Sequence, residues 1–226
     1  SVIELIKKFR DNGKLSTRMY LMLSGSDHDL VNKYFQSGPS VDKWVNVRSV
    51  KLYGDGALGS RGAWLLEDYS DEAGNRGQPN MIIDSVYSVA RRALKSGFQV
   101  NTHAIGDRAN REILDQYEKA FKENPDAAEN TRFRIEHAQH LHPDDIPRFK
   151  KLGVIAAMQA VHLSSDRPWA INRLGAKRII DGAYVWKSLL NTGAIIVNGS
   201  DVPVEPINPL ASFYASVTRK TLKGEP

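Results

Sequence analysis

The sequence predicts an α/β fold of about six β/α units on a parallel sheet, either an open doubly wound sheet or a (β/α)8 barrel. Three observations carry that expectation. Short apolar runs such as "GVIAAM" (153–158) and "GAIIV" (193–197) recur along the chain, each far below the roughly 20 residues that cross a bilayer. They alternate with helical patterns of about ten residues or more. No GxGxxG or Walker-type glycine loop follows any of them, which argues against a nucleotide-binding sheet. At 226 residues, with 41% hydrophobic and 25% charged residues, the chain suits one folded unit, residues 1–226, rather than a disordered or membrane-spanning one.

The elements follow in order. Residues 2–12 place Val2, Leu5, Ile6 and Phe9 at helical spacing before Gly13. "TRMYLML" (17–23) reads as a strand, and "DHDLVNKYFQSG" as a helix opened by a capping Asp27. "WVNVRSVKLYGDG" (44–56) contains a strand. Residues 56–80 form a long glycine-rich loop without periodicity, the kind that is functional or mobile. Helix 83–96 precedes strand 98–103, and helix 106–122 is followed by the loop "ENPDAAENT" and strand 132–137. A short helix at 143–152 leads to strand 154–159. Then come "DRPWAINRLG", helix 183–193, strand 194–198 and a closing helix over 208–220.

In β/α folds, functional residues collect at the carboxyl ends of the parallel strands. Here those ends carry Lys51, His103, His137, Gln159 and, just past the last strand, Asp201. Each has a structural alternative: Lys51 snorkelling to solvent, the histidines packed and hydrogen-bonded in the core, Asp201 capping the following helix. Together they converge on one mouth. Two neutral imidazoles and a carboxylate are ready ligands for a divalent metal, zinc above all, with iron, manganese and nickel also suited. A lysine ammonium repels a cation, so Lys51 must be deprotonated, carboxylated by CO2 to an anionic carbamate, or outside the ligand sphere.

Five ordered blocks, "KLYGDGALGSRGA", "NTHAIGDRAN", "RIEHAQHL", "AAMQAVHLSSD" and "NGSDVPVEPINPL", resemble the metal-dependent amidohydrolase superfamily, in the branch that includes N-substituted formamide deformylases. The resemblance implies a partial (β/α)8 TIM barrel whose six units correspond to strands three to eight, without strand one and without the family's small β-sandwich. It implies that Lys51, His103, His137 and Asp201 hold metal, one or two ions in the full enzyme, and that Lys51 is the carboxylated lysine. Asp201 would also be catalytic, taking a proton from the attacking water and passing it to the leaving amine. Asp55, Arg61, Asp107, Gln159 and His162 are assigned to substrate contacts or to support of the ligands. His28, His140 and His142 are expected not to be ligands.

The implied function is hydrolysis of C–N bonds in a small amide-type substrate by metal-activated water. Two departures from the family pattern stand out: no His-x-His pair occurs upstream of Lys51, since "HLH" at 140–142 follows the sixth strand, and Ala160 stands where relatives carry proline. The start at "SVIELIKKF" and the end at "TRKTLKGEP" lead us to expect a fragment of a larger hydrolase. The alternative is a catalytically inactive barrel fragment that self-associates, as a homo-oligomer or through open sheet edges. No cysteine is present, which excludes disulfides and thiolate sites and fits a cytoplasmic setting. A formal charge of +5 is spread among 26 acidic residues, so neither nucleic acid nor a membrane is an expected partner.

Overall fold

In the computed structural model, which describes residues 2–224, helix α1 (Val2–Asp11) leads into the first strand, β1 (Met19–Ser24). Helix α2 (His28–Ser37) starts where the Asp27 carboxylate accepts the Leu30 N–H at 3.1 Å, satisfying a free donor of the first turn. A two-residue strand, β2 (Ser40–Val41), pairs antiparallel with β3 (Val45–Tyr53). Two residues are too few to leave a periodic signal, and the sequence gives no hint of β2.

The remaining order is α3 (Ile83–Ser96), β4 (Gln99–Ala104), α4 (Asp107–Glu123), the short α5 (Pro125–Ala128), β5 (Arg134–His137), α6 (Ile146–Leu152), β6 (Ile155–Met158), α7 (His162–Gly182), α8 (Trp186–Asn191), β7 (Ile196–Asn198) and α9 (Pro209–Thr218). Helix α5 lies inside the segment read as a loop. Helices α3 and α6 both stop at glycines in the left-handed region, Gly97 (φ 73°) and Gly153 (φ 67°), where a side chain would be strained. Within α7, Gly175 (φ 76°, ψ 161°) breaks the helical path, so the element is two helical stretches meeting at a kink.

The sheet runs β1-β3-β4-β5-β6-β7, every neighbouring pair in that series parallel. This is the α/β arrangement expected, six parallel strands of a TIM-barrel-like domain with β2 added at one side. The outer edges of β1 and β7 pair with no other strand among the described residues. No helix is long and apolar enough to cross a membrane among those residues.

Register sorts the side chains. Lys51, Asn101 and Arg134 lie abreast on β3, β4 and β5, and Tyr53, His103 and Glu136 lie abreast two residues further on. Because side chains alternate across a strand, these share one face and Val50, Val100, Thr102 and Ile135 share the other. The second face meets the helices: the Thr102 hydroxyl is 2.7 Å from the Tyr117 hydroxyl of α4, and Ala90, Ala93, Ile113, Leu114 and Phe133 are buried with it. Apolar burial therefore holds helices to one side and leaves a polar layer of Lys51, Asn101, His103, Arg134 and Glu136 on the other.

Candidate metal centre

Strand β4 delivers His103, and the segment after it explains "NTHAIGDRAN". The chain turns at Ile105 and Gly106 into α4, and both of their N–H groups donate to the buried Asp55 carboxylate, at 2.9 and 2.8 Å. A third donor, the Trp64 N–H, reaches the same carboxylate at 2.9 Å. Loop 56–80 crosses so closely here that a Cβ on Gly106 would sit 2.1 Å from the Trp64 carbonyl oxygen. The Asn110 amide then donates to the carbonyls of Ala104, Gly106 and His140, joining the ends of β4 and β5.

Strand β5 delivers His137 by a different device. Simple alternation would send it toward the helices, but His137 (φ 76°) and Ala138 (φ 43°) both adopt left-handed conformations. The chain turns, and the His137 ring meets His103 edge-on at 4.4 Å between centroids. On its other side it stacks with His162 at 5.9 Å. His162 comes from the first turn of α7, and its Nε2 lies 3.5 Å from an Asp201 oxygen while its Nδ1 lies 3.2 Å from Oε1 of Glu205. Potential ligand atoms of His137, His162 and Asp201 all fall within 4.8 Å of one another.

His103 sits outside that tightest group. Its Nε2 is 3.4 Å from Oδ1 of Asp55, without hydrogen-bond alignment, and is buried and unpartnered; Nδ1 of His137 is buried and unpartnered too. Lys51, half-buried, holds its ammonium 5.0 Å from the centre of the Tyr53 ring. Asp201 is half-exposed and does not cap the next helix, since Asn208 does so by accepting the Leu210 N–H.

The electrostatics follow from this crowding. Burial, helped by the nearby Lys51 charge, lowers His103 to about 4, and burial beside His103 lowers His137 as well, so both rings are neutral at pH 7. Burial lowers Lys51 also, opposed by the charges of Glu136 and Asp201. Around His162 burial disfavours the cation, but Asp201 and Glu205 outweigh it and its pKa is raised. The bond from His162 holds Asp201 below the ordinary carboxylate range. Burial pushes Asp55 up to about 7 against its three N–H bonds, which pull the other way.

The other candidates are distributed around this centre. Gln159 donates to the Ala157 carbonyl at 3.0 Å and leaves its Oε1 buried and unpartnered. Asp107 accepts the N–H groups of Leu66 and Arg108, tying loop 56–80 to the start of α4. Arg61 pairs with Asp71 and Glu72 inside its own loop, and that loop is further fixed to α7 by Arg178 on the Asp68 carbonyl. Of the histidines expected not to be ligands, His28 is exposed on α2, His142 accepts the Asp144 N–H with its ring, and His140 is buried against Tyr184. Glu205 and Asn110 were not anticipated from the sequence. "NGSDVPVEPINPL" offers a carboxylate four residues past Asp201, the one signal that could have suggested Glu205.

A parallel α/β sheet with histidines and an aspartate gathered at its strand ends has the layout of a metal-dependent hydrolase barrel, and comparison with known proteins gives the family. The profile of the amidohydrolase family matches residues 2–225, and the chain belongs to that family. It is 41% identical over 190 residues to the protein LONG AFTER FAR-RED 3 of Arabidopsis thaliana, covering 84% of this chain and 32% of that protein. It is 32% identical over 215 residues to the putative amidohydrolase YtcJ of Bacillus subtilis, covering 95% of this chain and 39% of that one. Among solved structures, an uncharacterized metal-dependent hydrolase from Pyrococcus horikoshii superposes with a TM-score of 0.85 at 29% identity, over 96% of this chain and 42% of that one. Another from Pyrococcus furiosus gives 0.83 at 31% identity, over 94% and 43%. The chain thus spans between about a third and two fifths of the curated relatives it matches.

Proposed function

We propose that this protein carries the catalytic centre of a metal-dependent hydrolase that cleaves C–N bonds in small amide-type substrates. The observation that supports it most is the meeting of His103, His137, His162 and Asp201, from four separate segments, with buried imidazole nitrogens that no protein group satisfies. Unsatisfied buried polar atoms are rare, and neutral nitrogens beside a carboxylate suit a divalent cation, zinc first among several. A bound ion would supply Lewis acidity, lowering the pKa of water and polarising the scissile carbonyl.

The protein's own groups carry the rest. His103 and His137 would hold the ion as neutral donors. Lys51 is half-buried with a lowered pKa, which favours the free amine that reacts with CO2, and its carbamate would add an anionic oxygen ligand. Asp201 is ionised at neutral pH and open to solvent, so it can take the proton of the attacking water and deliver it to the leaving nitrogen. Asp55 and Asp107 keep the strand-end loops in place, and Gln159 leaves a buried acceptor oxygen beside the strand ends that no protein donor pairs. Assay of the purified protein against N-formyl and N-acyl amines tests the reading: turnover should vanish with a chelator and return with zinc. Turnover unaffected by chelation would overturn it.

A second reading is favoured by the sheet edges. Among the described residues β1 and β7 are unpaired on their outer sides, and Val2, Leu5 and Phe9 of α1 and Leu210, Phe213 and Val217 of α9 expose apolar side chains. On that reading this chain alone self-associates without turning substrate over. Sedimentation showing a concentration-dependent oligomer with no bound metal would favour it over the first.

A further inference from the structure

Glu205 has a carboxylate that is mostly buried, in a loop otherwise exposed, and it points at the back of a histidine. Its Oε1 lies 3.2 Å from Nδ1 of His162 and also accepts the Ser165 hydroxyl. The far side of the same ring, Nε2, faces Asp201 at 3.5 Å and belongs to the His137, His162, Asp201 group. The imidazole is thus gripped on one nitrogen and offered on the other.

We propose that Glu205 is a positioning residue that makes His162 a metal ligand: by holding the Nδ1 proton it fixes the ring with Nε2 aimed at the space between His137 and Asp201, where a cation would take the place of the Nε2 proton that otherwise bonds Asp201. The inference rests on the metal reading above and changes the role of His162, which the sequence assigns to substrate contact or support. A neutral imidazole has one lone pair, so ligation through Nε2 requires hydrogen on Nδ1, and that hydrogen needs an acceptor. Metal-binding histidines are usually oriented by a carboxylate or carbonyl in this way. Three features fit this role together. The Ser165 hydroxyl, one turn along α7 from His162, fixes the carboxylate from the side. The stacked His137 ring fixes the plane of His162. Burial of the ring, 7% exposed, keeps water from replacing Glu205 as the acceptor.

The proposal separates from simple substrate binding by what Glu205 changes. A substrate-binding His162 would link Glu205 to KM and leave metal affinity alone. As a ligand, His162 should report the metal directly. The test uses the full chain with 15N-labelled histidine, titrated with zinc and followed by long-range 1H–15N correlations of the rings, with zinc affinity measured by competition against a chromophoric chelator. In the zinc-loaded wild type, His162 should show a coordinated Nε2 and a protonated Nδ1. Glu205→Ala should weaken zinc binding about 10- to 100-fold and release Nε2, whereas Glu205→Gln, whose amide oxygen can still accept, should recover most of the affinity. Zinc bound tightly by the wild type with His162 uncoordinated would overturn the role of Glu205 while leaving the metal reading intact. Failure of the wild type to bind zinc would overturn both. The wild-type spectrum decides the matter even if the alanine variant does not fold.

Discussion

Removing the carboxylate of Asp55 is the sharpest test of how the strand ends are held. Asp55 is 1% exposed and accepts three backbone N–H groups, from Trp64, Ile105 and Gly106, at 2.8 to 2.9 Å. Asp55→Ala leaves all three donors in a buried space with nothing to accept them. Each orphaned donor costs about 1–3 kcal/mol, and with partial relief from entering water the sum is about 3–6 kcal/mol. A domain of this size has only about 5–15 kcal/mol in total, so the variant should lie near the edge of folding. Asp55→Asn keeps the shape and one acceptor oxygen but turns an amide N–H toward a backbone donor, and should cost about half as much. Urea unfolding followed by tryptophan fluorescence reads both, Trp64 being itself bonded to Asp55, and the slope should stay constant while the midpoint falls. A loss under about 1 kcal/mol for the alanine variant would refute the claim that this carboxylate pins loop 56–80 to the turn after β4.

Three further outcomes are expected. Gly106→Ala places a Cβ 2.1 Å from the Trp64 carbonyl oxygen, a backbone atom that cannot swing aside; thermal unfolding should show a loss of about 3 kcal/mol, at the upper end of overpacking costs. Gly199→Ala, with nothing within 4 Å, is the control and should stay within about 0.5 kcal/mol of wild type. His140 is held to about 3 by burial, with the Arg178 charge adding to the effect. Below its unfolded value of about 6.5 the unfolded chain takes up a proton that the folded one refuses, so stability falls as pH drops from there toward 3. His140→Gln should flatten that part of the pH–stability curve, and an unchanged slope would refute the assignment.

The sequence made the parallel sheet and its two histidine strand ends readable for a physical reason: buried strands are short and apolar, so a polar residue at the end of one, such as His103 after "QVNT", stands out. The order of the blocks carried the family. What stayed hidden depends on geometry without a compositional signal. The left-handed backbone at His137 and Ala138, which turns that histidine into the polar layer, occurs without glycine or asparagine to announce it. His162 enters the centre only because α7 begins at that point of the sheet, and Glu205 only because the chain after β7 returns to it. Loop 56–80 looked featureless by periodicity, yet specific ion pairs and carbonyl bonds order it, none of which repeats at a fixed spacing.

The central claim is that the strand-end histidines form a metal centre, and the most direct test is metal content by plasma mass spectrometry of the purified protein beside a His103→Ala/His137→Ala variant. The account predicts stoichiometric divalent metal in the wild type and its loss in the variant, with the fold retained by circular dichroism. Metal absent from the wild type after reconstitution, or undiminished in the variant, would contradict it.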